Sequence, residues 1–360
     1  PQAYTGFLQL LSDIGQHRTI LKIYEANQKA FKKAFEKNIA LNLIVAQAYL
    51  STDQDDKAEP IFLKLAKEYP DNEQVAYFAA MAYMKSNQLD KALESVNHCL
   101  ANQAFKQRFF LFHFLKSKIL VQQNKPHDAL AEIEKGLKMF PKFDRGWLFK
   151  AMLLEQLGQV NDAIKGYKRF LDLVGRDIAV EKQIVQLLFS QQRFSEALSY
   201  LKRIKHNSPD YFFDTALIEF KAGHLSKALE SLNKAIALTP QFNKARLLKI
   251  EVLLAAKNIP ALLSFMRDWL MSDVQDASVL HTLLLLRKAN VSSKKIIKTL
   301  QEVESKKSHV NILAAIADLE TELNNTKQAI AYYEKILTTT TDPSIKSKTL
   351  FHIGYLYFTT

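Results

Sequence analysis

One phrase recurs along this chain, and its spacing limits the fold more than any other feature. It reads DDKAEPIFLKL from residue 55, LDKALESVNHC from 89, PHDALAEIEKG from 126, VNDAIKGYKRF from 160, FSEALSYLKRI from 194, LSKALESLNKA from 225 and TKQAIAYYEKI from 326. Each copy is a polar lead, an alanine, an apolar residue, and then apolar positions at helical spacing. The aligned alanines are Ala58, Ala92, Ala129, Ala163, Ala197 and Ala228, then Ala261 in the weaker NIPALLSFMRDWL, and Ala329 after one degenerate unit centred near Lys295. Successive differences are 34, 37, 34, 34, 31, 33, 34 and 34 residues. A chain of 360 residues would otherwise suggest two or three domains, each with its own core. A repeat this short predicts instead an array whose copies bury their apolar faces against one another.

The other positions of the unit agree. Counting Ile39 as the first residue, Ala46, Tyr49, Ala58, Phe62 and Pro70 fall at offsets 8, 11, 20, 24 and 32. The next unit offers Ala80, Tyr83 and Ala92, and later ones Trp147, Ala151 and Ala163, then Ala216, Ala228, Ala235 and Pro240. These resemble the small, Tyr, Ala, Phe and Pro positions of the tetratricopeptide repeat, over about nine units plus a fragment. The resemblance implies an all-α right-handed solenoid, a superhelix of stacked antiparallel helix pairs A and B. Small side chains are required where two helix axes approach to roughly 8–10 Å, and the prolines at 70, 141, 209 and 240 are expected to stop the B helices.

The chain divides on this reading into residues 1–38, a divergent helical pair with an overlong second helix, the tandem array 39–343, and 344–360, the first helix of a further repeat. Leu350, Ile353, Gly354 and Tyr357 match offsets 4, 7, 8 and 11 of that helix. Its apolar face, Phe351, Tyr355 and Phe358, is expected to need a cover supplied by further sequence or by a partner, since solenoids end in polar caps. A start without Met reads as an excised fragment, and without a targeting signal the compartment, cytoplasm or periplasm, stays open. The spacing of 37 puts about three extra residues around Ala101 to Arg108, and the 31 shortens the junction near Pro209. The unit from Asp276 to His309 has lost its marker residues.

KQRFFLFHFLKSKIL, residues 106–120, is the most aromatic stretch, yet Arg108 and Lys116 bracket a run far short of the roughly 18–20 apolar residues of a spanning helix. In register, Phe110, His113, Ser117 and Leu120 face the second helix, with Ser117 at the close approach. Phe109, Phe112 and Ile119 pack on the preceding unit, and Leu111, Phe114 and Lys118 are left for the groove. The lone Cys99 falls at a small-residue core position and reads as a buried, inert thiol. Histidines show no metal-ligand spacing, and no phosphate loop or nucleophile elbow occurs. Glu132, Glu134, Asp55 and Asp56 read as helix-start or solvated carboxylates. The expectation is therefore no catalytic site, no metal and no cofactor. A net charge of +12 could serve nucleic acid, but the basic residues are scattered in short clusters without a phosphate-tracking stripe.

What remains is surface. In the family the A helices line a concave groove through offsets near 2, 5, 9 and 12. Here those offsets supply Tyr77, Met81 and Met84; Leu111, Phe114, Lys118 and Val121; Arg145, Leu148 and Met152; Gln186 and Phe189; Phe213, Leu217 and Phe220; and Arg246, Ile250 and Leu253. The family's carboxylate clamp would need Lys, Asn and Arg where this chain has mostly Leu, Phe and Met. Its asparagine ladder would need Asn at offset 6, where this chain has Ile44, Phe78, Leu115 and Phe149. The resemblance thus implies a non-catalytic protein–protein interaction scaffold or adaptor. Its groove, centred on residues 73–179, takes an amphipathic or hydrophobic peptide segment of a partner. The alternative is a substrate-recruiting arm of a larger enzyme or export machine whose catalytic or membrane part lies outside this chain.

Overall fold

In the computed structural model every regular element among the described residues is helical. The structure describes residues 2–35, 38–204, 206–272, 282–283, 285–287 and 289–359, and for residues 2, 3 and 28–35 the backbone alone. The helices fall into two compact units, Pro1–Val180 and Glu181–Thr360. Unit 1 holds α1 (Gln2–Asp13), α2 (His17–Phe35), α3 (Ile39–Ser51), α4 (Asp55–Glu68), α5 (Glu73–Lys85), α6 (Leu89–Ala101), α7 (Phe109–Gln122), α8 (Pro126–Met139), α9 (Asp144–Gln156) and α10 (Val160–Val174). Unit 2 holds α11 (Ile178–Ser190), which starts just before the division, α12 (Phe194–Arg203), α13 (Pro209–Lys221), α14 (Leu225–Leu238), α15 (Asn243–Ala255) and α16 (Ile259–Ser272). It continues with α17 (Ser293–Glu304), α18 (Val310–Glu322), α19 (Thr326–Thr339) and α20 (Pro343–Thr359). Within each unit consecutive helices pack as antiparallel A and B partners, forming an all-α repeat solenoid.

The hairpin between A and B is nearly invariant. The A helix ends in a left-handed residue, with φ between 52° and 81° at Asp53, Asn87, Asn124, Gly158, Gln192, Gly223, Lys257, Asn290 and Asn324. The next amide closes a long bond back into the helix, as in Gln88 N to Tyr83 O at 2.8 Å and Lys125 N to Leu120 O at 2.8 Å. This satisfies carbonyls that the helix end would leave orphaned. The residue after the left-handed one then caps the B helix, and the repeat alanine donates its amide to that cap carbonyl, as in Ala92 N to Gln88 O at 3.0 Å and Ala129 N to Lys125 O at 3.0 Å. The alanines expected to mark the close approach at Ala58, Ala92, Ala129, Ala163, Ala197, Ala228 and Ala329 are all fully buried.

That bond pattern corrects the register in the two weak units. Leu262 N bonds Asn258 O, and Ile296 N bonds Ser292 O, so the alanine position is held by Leu262 and Ile296, not by Ala261 and Lys295. Leu262 and Ile296 are buried, whereas Lys295 is exposed. The markers look lost because large aliphatics fill the site. Of the unit expected from Asp276 to His309, Asp276 to His281 lie outside the described residues.

Both length irregularities sit between a B helix and the next A helix. The extra residues form a 3-10 turn, Gln103–Arg108, capped by the Asn102 side chain and anchored by buried Phe105, whose ring stacks on Phe112 at 6.0 Å. The deletion shortens α12 to 10 residues. Pro209 does not stop a B helix as expected. It is the first residue of α13, where it lacks only an amide that would be unpaired anyway, behind the Ser208 cap. Apolar clusters join neighbouring pairs in series; one gathers Ala80, Ala92, Val96, Cys99, Phe112 and Ile119 from α5, α6 and α7. Helix α20 packs through Ile345, Ile353 and Leu356 and exposes Phe351, Tyr355 and Phe358.

Candidate functional site: the A-helix face

The aromatic helix α7 shows two of the roles expected of it, facing its own second helix and packing on the preceding pair. Ser117 is buried at the close approach, and its hydroxyl donates to Ala129 O on α8 at 2.7 Å. Phe110 and His113 lie so near Gly136 that a Cβ there would meet the Phe110 carbonyl at 3.1 Å. Phe112 and Ile119 are buried against the preceding pair. His113 also reaches Glu132 on α8, with Nδ1 2.7 Å from the carboxylate, joined by Lys135 at 2.8 Å and Lys116 at 3.6 Å. Glu132 was expected on a solvated face and is instead buried. Burial pushes its carboxyl up, but the hydrogen bonds from Lys135 and His113 and the charge of Lys116 outweigh that and hold it below the ordinary carboxylate range.

On the A-helix face of unit 1, Tyr77, Met81, Phe114, Lys118 and Leu148 are half-buried, and Arg145 and Met152 are exposed, Met152 by 55%. Met84, assigned to the same face, is only 8% exposed and belongs to the core with Ala80 and Cys99. Tyr77 sits edge-on to Phe78 and Phe112, at 5.5 and 6.1 Å. It lines a cavity of about 220 Å3 with Gln47, Gln74, Arg108 and Leu111. Burial pushes the Tyr77 hydroxyl up, and the Arg145 guanidinium, two A helices away, draws it partly back. Phe114 is wedged edge-on against Phe143 and Phe149, at 5.2 and 5.4 Å, and carries Lys118 over its ring at 5.5 Å. Burial pushes the Lys118 ammonium down.

In unit 2, Gln186 is exposed and Phe189, Phe213 and Phe220 are half-buried. Phe189 packs edge-on to Phe194 at 5.7 Å, Phe213 contacts Phe242 at 5.5 Å, and Lys221 lies over Phe220 at 5.7 Å. Three further positions expected in the groove are core. Ile250 and Leu253 are buried, and Arg246 is only 4% exposed, its guanidinium 5.1 Å from the Trp269 ring. Ile250 and Leu253 pack in one buried cluster with Leu262 and Trp269.

Counting offsets missed Arg108 and Glu73. They form an ion pair at 3.2 Å on the cavity wall, and Arg108 lies in the inserted turn, outside the periodic register. Cys99 is buried and its thiol is pushed up to about 11 by desolvation. Among the described residues no group of three or more His, Cys, Asp and Glu side chains could hold a metal ion, and no helix is long and apolar enough to cross a membrane.

Three segments match family models described as tetratricopeptide repeat, residues 40–72, 114–177 and 310–341. Among curated proteins the chain is similar to tetratricopeptide repeat protein 8 of Caenorhabditis elegans, 25% identical over 159 residues, 43% of this chain and 31% of the relative. It is also similar to the human mitochondrial import receptor subunit TOM70, 25% identical over 228 residues, 61% of this chain and 36% of the relative. The chain therefore spans about a third of these relatives' length. A solved tetratricopeptide repeat protein from Parabacteroides merdae aligns with 70% of this chain and all of its own, with 15% identity and a TM-score of 0.43. Helix pairs at the repeat period, buried alanines bonded to the caps and these family matches lead to one conclusion: the chain carries tetratricopeptide repeats, a repeat that generally serves protein interaction and not catalysis.

Proposed function

We propose that the A-helix face of unit 1 binds an amphipathic or hydrophobic segment of a partner protein, with Tyr77, Met81, Phe114, Leu148 and Met152 as the apolar surface and Lys118 and Arg145 as its cations. The observation that supports this is the cavity of about 220 Å3 that Tyr77 lines with Gln47, Gln74, Arg108 and Leu111, residues drawn from α3, α5, the inserted turn and α7. Flexible thioethers beside rigid rings suit a surface that receives side chains. Burying the exposed half of a side chain such as Met152 in a complex would contribute about 1 kcal/mol. The test replaces Met81 and Met152 together with glutamate and measures partner capture by crosslinking and mass spectrometry, with thermal melts as the control on folding. Captured partners should be lost while the melt is kept; a folded double variant with an unchanged partner set would refute the assignment. The likeness to an import receptor subunit motivates a second reading, in which the same face recruits cargo for a larger machine. Partners dominated by the subunits of one assembly would favour it.

A further inference from the structure

The B-helix side of unit 1 carries a second concavity, away from the A-helix face. A cleft of about 740 Å3 opens between α4 and α6, floored by α5. The repeat explains why it is there. Ala76 and Ala79 are the fourth and seventh residues of their unit, and the same positions hold His113 and Lys116 in the next unit and Trp147 and Lys150 in the one after. Those larger side chains fill their space. His113 and Lys116 reach Glu132, Lys150 lies 2.8 Å from Glu134, and the Trp147 indole donates to the Pro141 carbonyl at 2.9 Å. On α6 the counterpart of Glu132 is Ser95, and on α4, the preceding B helix, the counterpart of Glu134 is Leu63, so both members of the filling pairs are replaced by smaller or uncharged groups. The result is a floor of methyl groups beside a rim bearing the carboxylates of Asp90 and Glu94. Among the described residues no lysine or arginine lines it, and His98 is its basic side chain, although the chain carries a net charge of +12.

We propose that this cleft binds a basic amphipathic segment of a partner protein, with an aliphatic or aromatic side chain seated over Ala76 and Ala79 and a neighbouring lysine or arginine paired with Glu94 and Asp90. The partner's cation supplies the charge that Lys116 and Lys150 supply in the following units. Asp90 and Glu94 lie one turn apart, about 6 Å along α6, so a single guanidinium or ammonium can reach from one to the other. Asp90 already accepts a hydrogen bond from Gln123 at 3.2 Å, which makes Glu94 the principal anion. From Asp90 to Asn97 the wall runs roughly 10 Å, the length of about three extended residues.

The test uses a phage-displayed library of random twelve-residue peptides, panned on the whole chain. Clones are then rebound to two variants. One transplants the filled arrangement, Ala76→His with Ala79→Lys and Ser95→Glu; the other is Glu94→Lys at an exposed position. The expected result is a class of clones weakened at least about tenfold by both variants, the scale of losing a charge-assisted contact, and enriched in Lys or Arg beside an aromatic or aliphatic residue. If the transplant unfolds by circular dichroism, Glu94→Lys alone decides. The proposal is overturned if every clone survives the variants, or if the cleft-dependent clones lack a cation. Neither outcome bears on the A-helix face, whose clones should respond to Met81→Glu with Met152→Glu and not to these changes.

Discussion

Gly166→Ala tests how closely α9 and α10 approach. A Cβ at Gly166 would lie 2.9 Å from Ala151 Cβ and 3.2 Å from Ala151 Cα. Non-bonded carbons rest at about 3.5–4.0 Å, so the two helices must part locally by several tenths of an ångström. Two effects oppose each other. Alanine is the better helix former by about 0.8–1 kcal/mol, while overpacking a tight interior costs about 1–3 kcal/mol. Because one of the two blocking atoms is backbone and cannot rotate away, sterics should win, leaving a net loss of about 1–2 kcal/mol. For a unit of 180 residues that is a fall in Tm of roughly 3–6 °C by circular dichroism. The decisive comparison is the same substitution in an Ala151→Gly background. With the opposing methyl gone, Gly166→Ala should become close to neutral, since the propensity gain is uncovered while Ala151 Cα still crowds. The coupling between the sites should then be about 1–2 kcal/mol. Equal effects in the two backgrounds, or a gain in the parent, would refute the close approach.

Three further outcomes follow from particular contacts. Leu262→Ala should cost about 2–5 kcal/mol because Leu262 is buried at the alanine position, while Ala261→Gly should cost only about 1 kcal/mol; chemical denaturation of both variants ranks them, and the reverse order would restore the alanine register. Glu132, whose carboxyl is held below its usual range in the folded chain, contributes stability that is complete above the unfolded value near 4.5 and is lost as pH falls through the folded value. Glu132→Gln should therefore flatten the acid limb of a Tm-against-pH curve below about pH 4.5, and an unchanged limb would count against the His113, Lys116 and Lys135 network. Cys99, buried and with its thiol at about 11, should resist a thiol-reactive dye at pH 8 in the folded chain and label fully in denaturant, so rapid native labelling would contradict its burial.

The fold was legible because close helix packing demands alanine, and alanine repeated in register is hard to produce otherwise. Ala92 and Ala129 could be placed from the text of the chain before their cap bonds were seen. The same logic failed where the demand was met differently. At Leu262 and Ile296 a larger aliphatic is buried at the alanine position, and a search for alanine settles on the neighbouring residue instead. Glu132 was misjudged because exposure depends on how one helix is rotated against the next, which spacing along a single helix does not reveal. The A-helix face was only half legible. Offset counting identifies which residues sit on A helices, but Met84 and Met152 read alike in the sequence and differ fully in burial. The difference lies in what the adjoining pair covers. Arg108 carries no periodic signature at all.

The unvarying turn between A and B has a consequence for anyone who wants to rebuild this molecule. Its left-handed residue and back-bond fix the phase of each pair, and among the described residues only Val291 adds length before a cap. The 3-10 insertion lies in the opposite connection, from B to the next A, and the deletion shortens the B helix α12 ahead of one. A hairpin is thus the portable module and the B-to-A joint the adjustable splice. Grafts, loop extensions or added tags should be cut in at joints such as 102–108, where the chain itself already carries added residues.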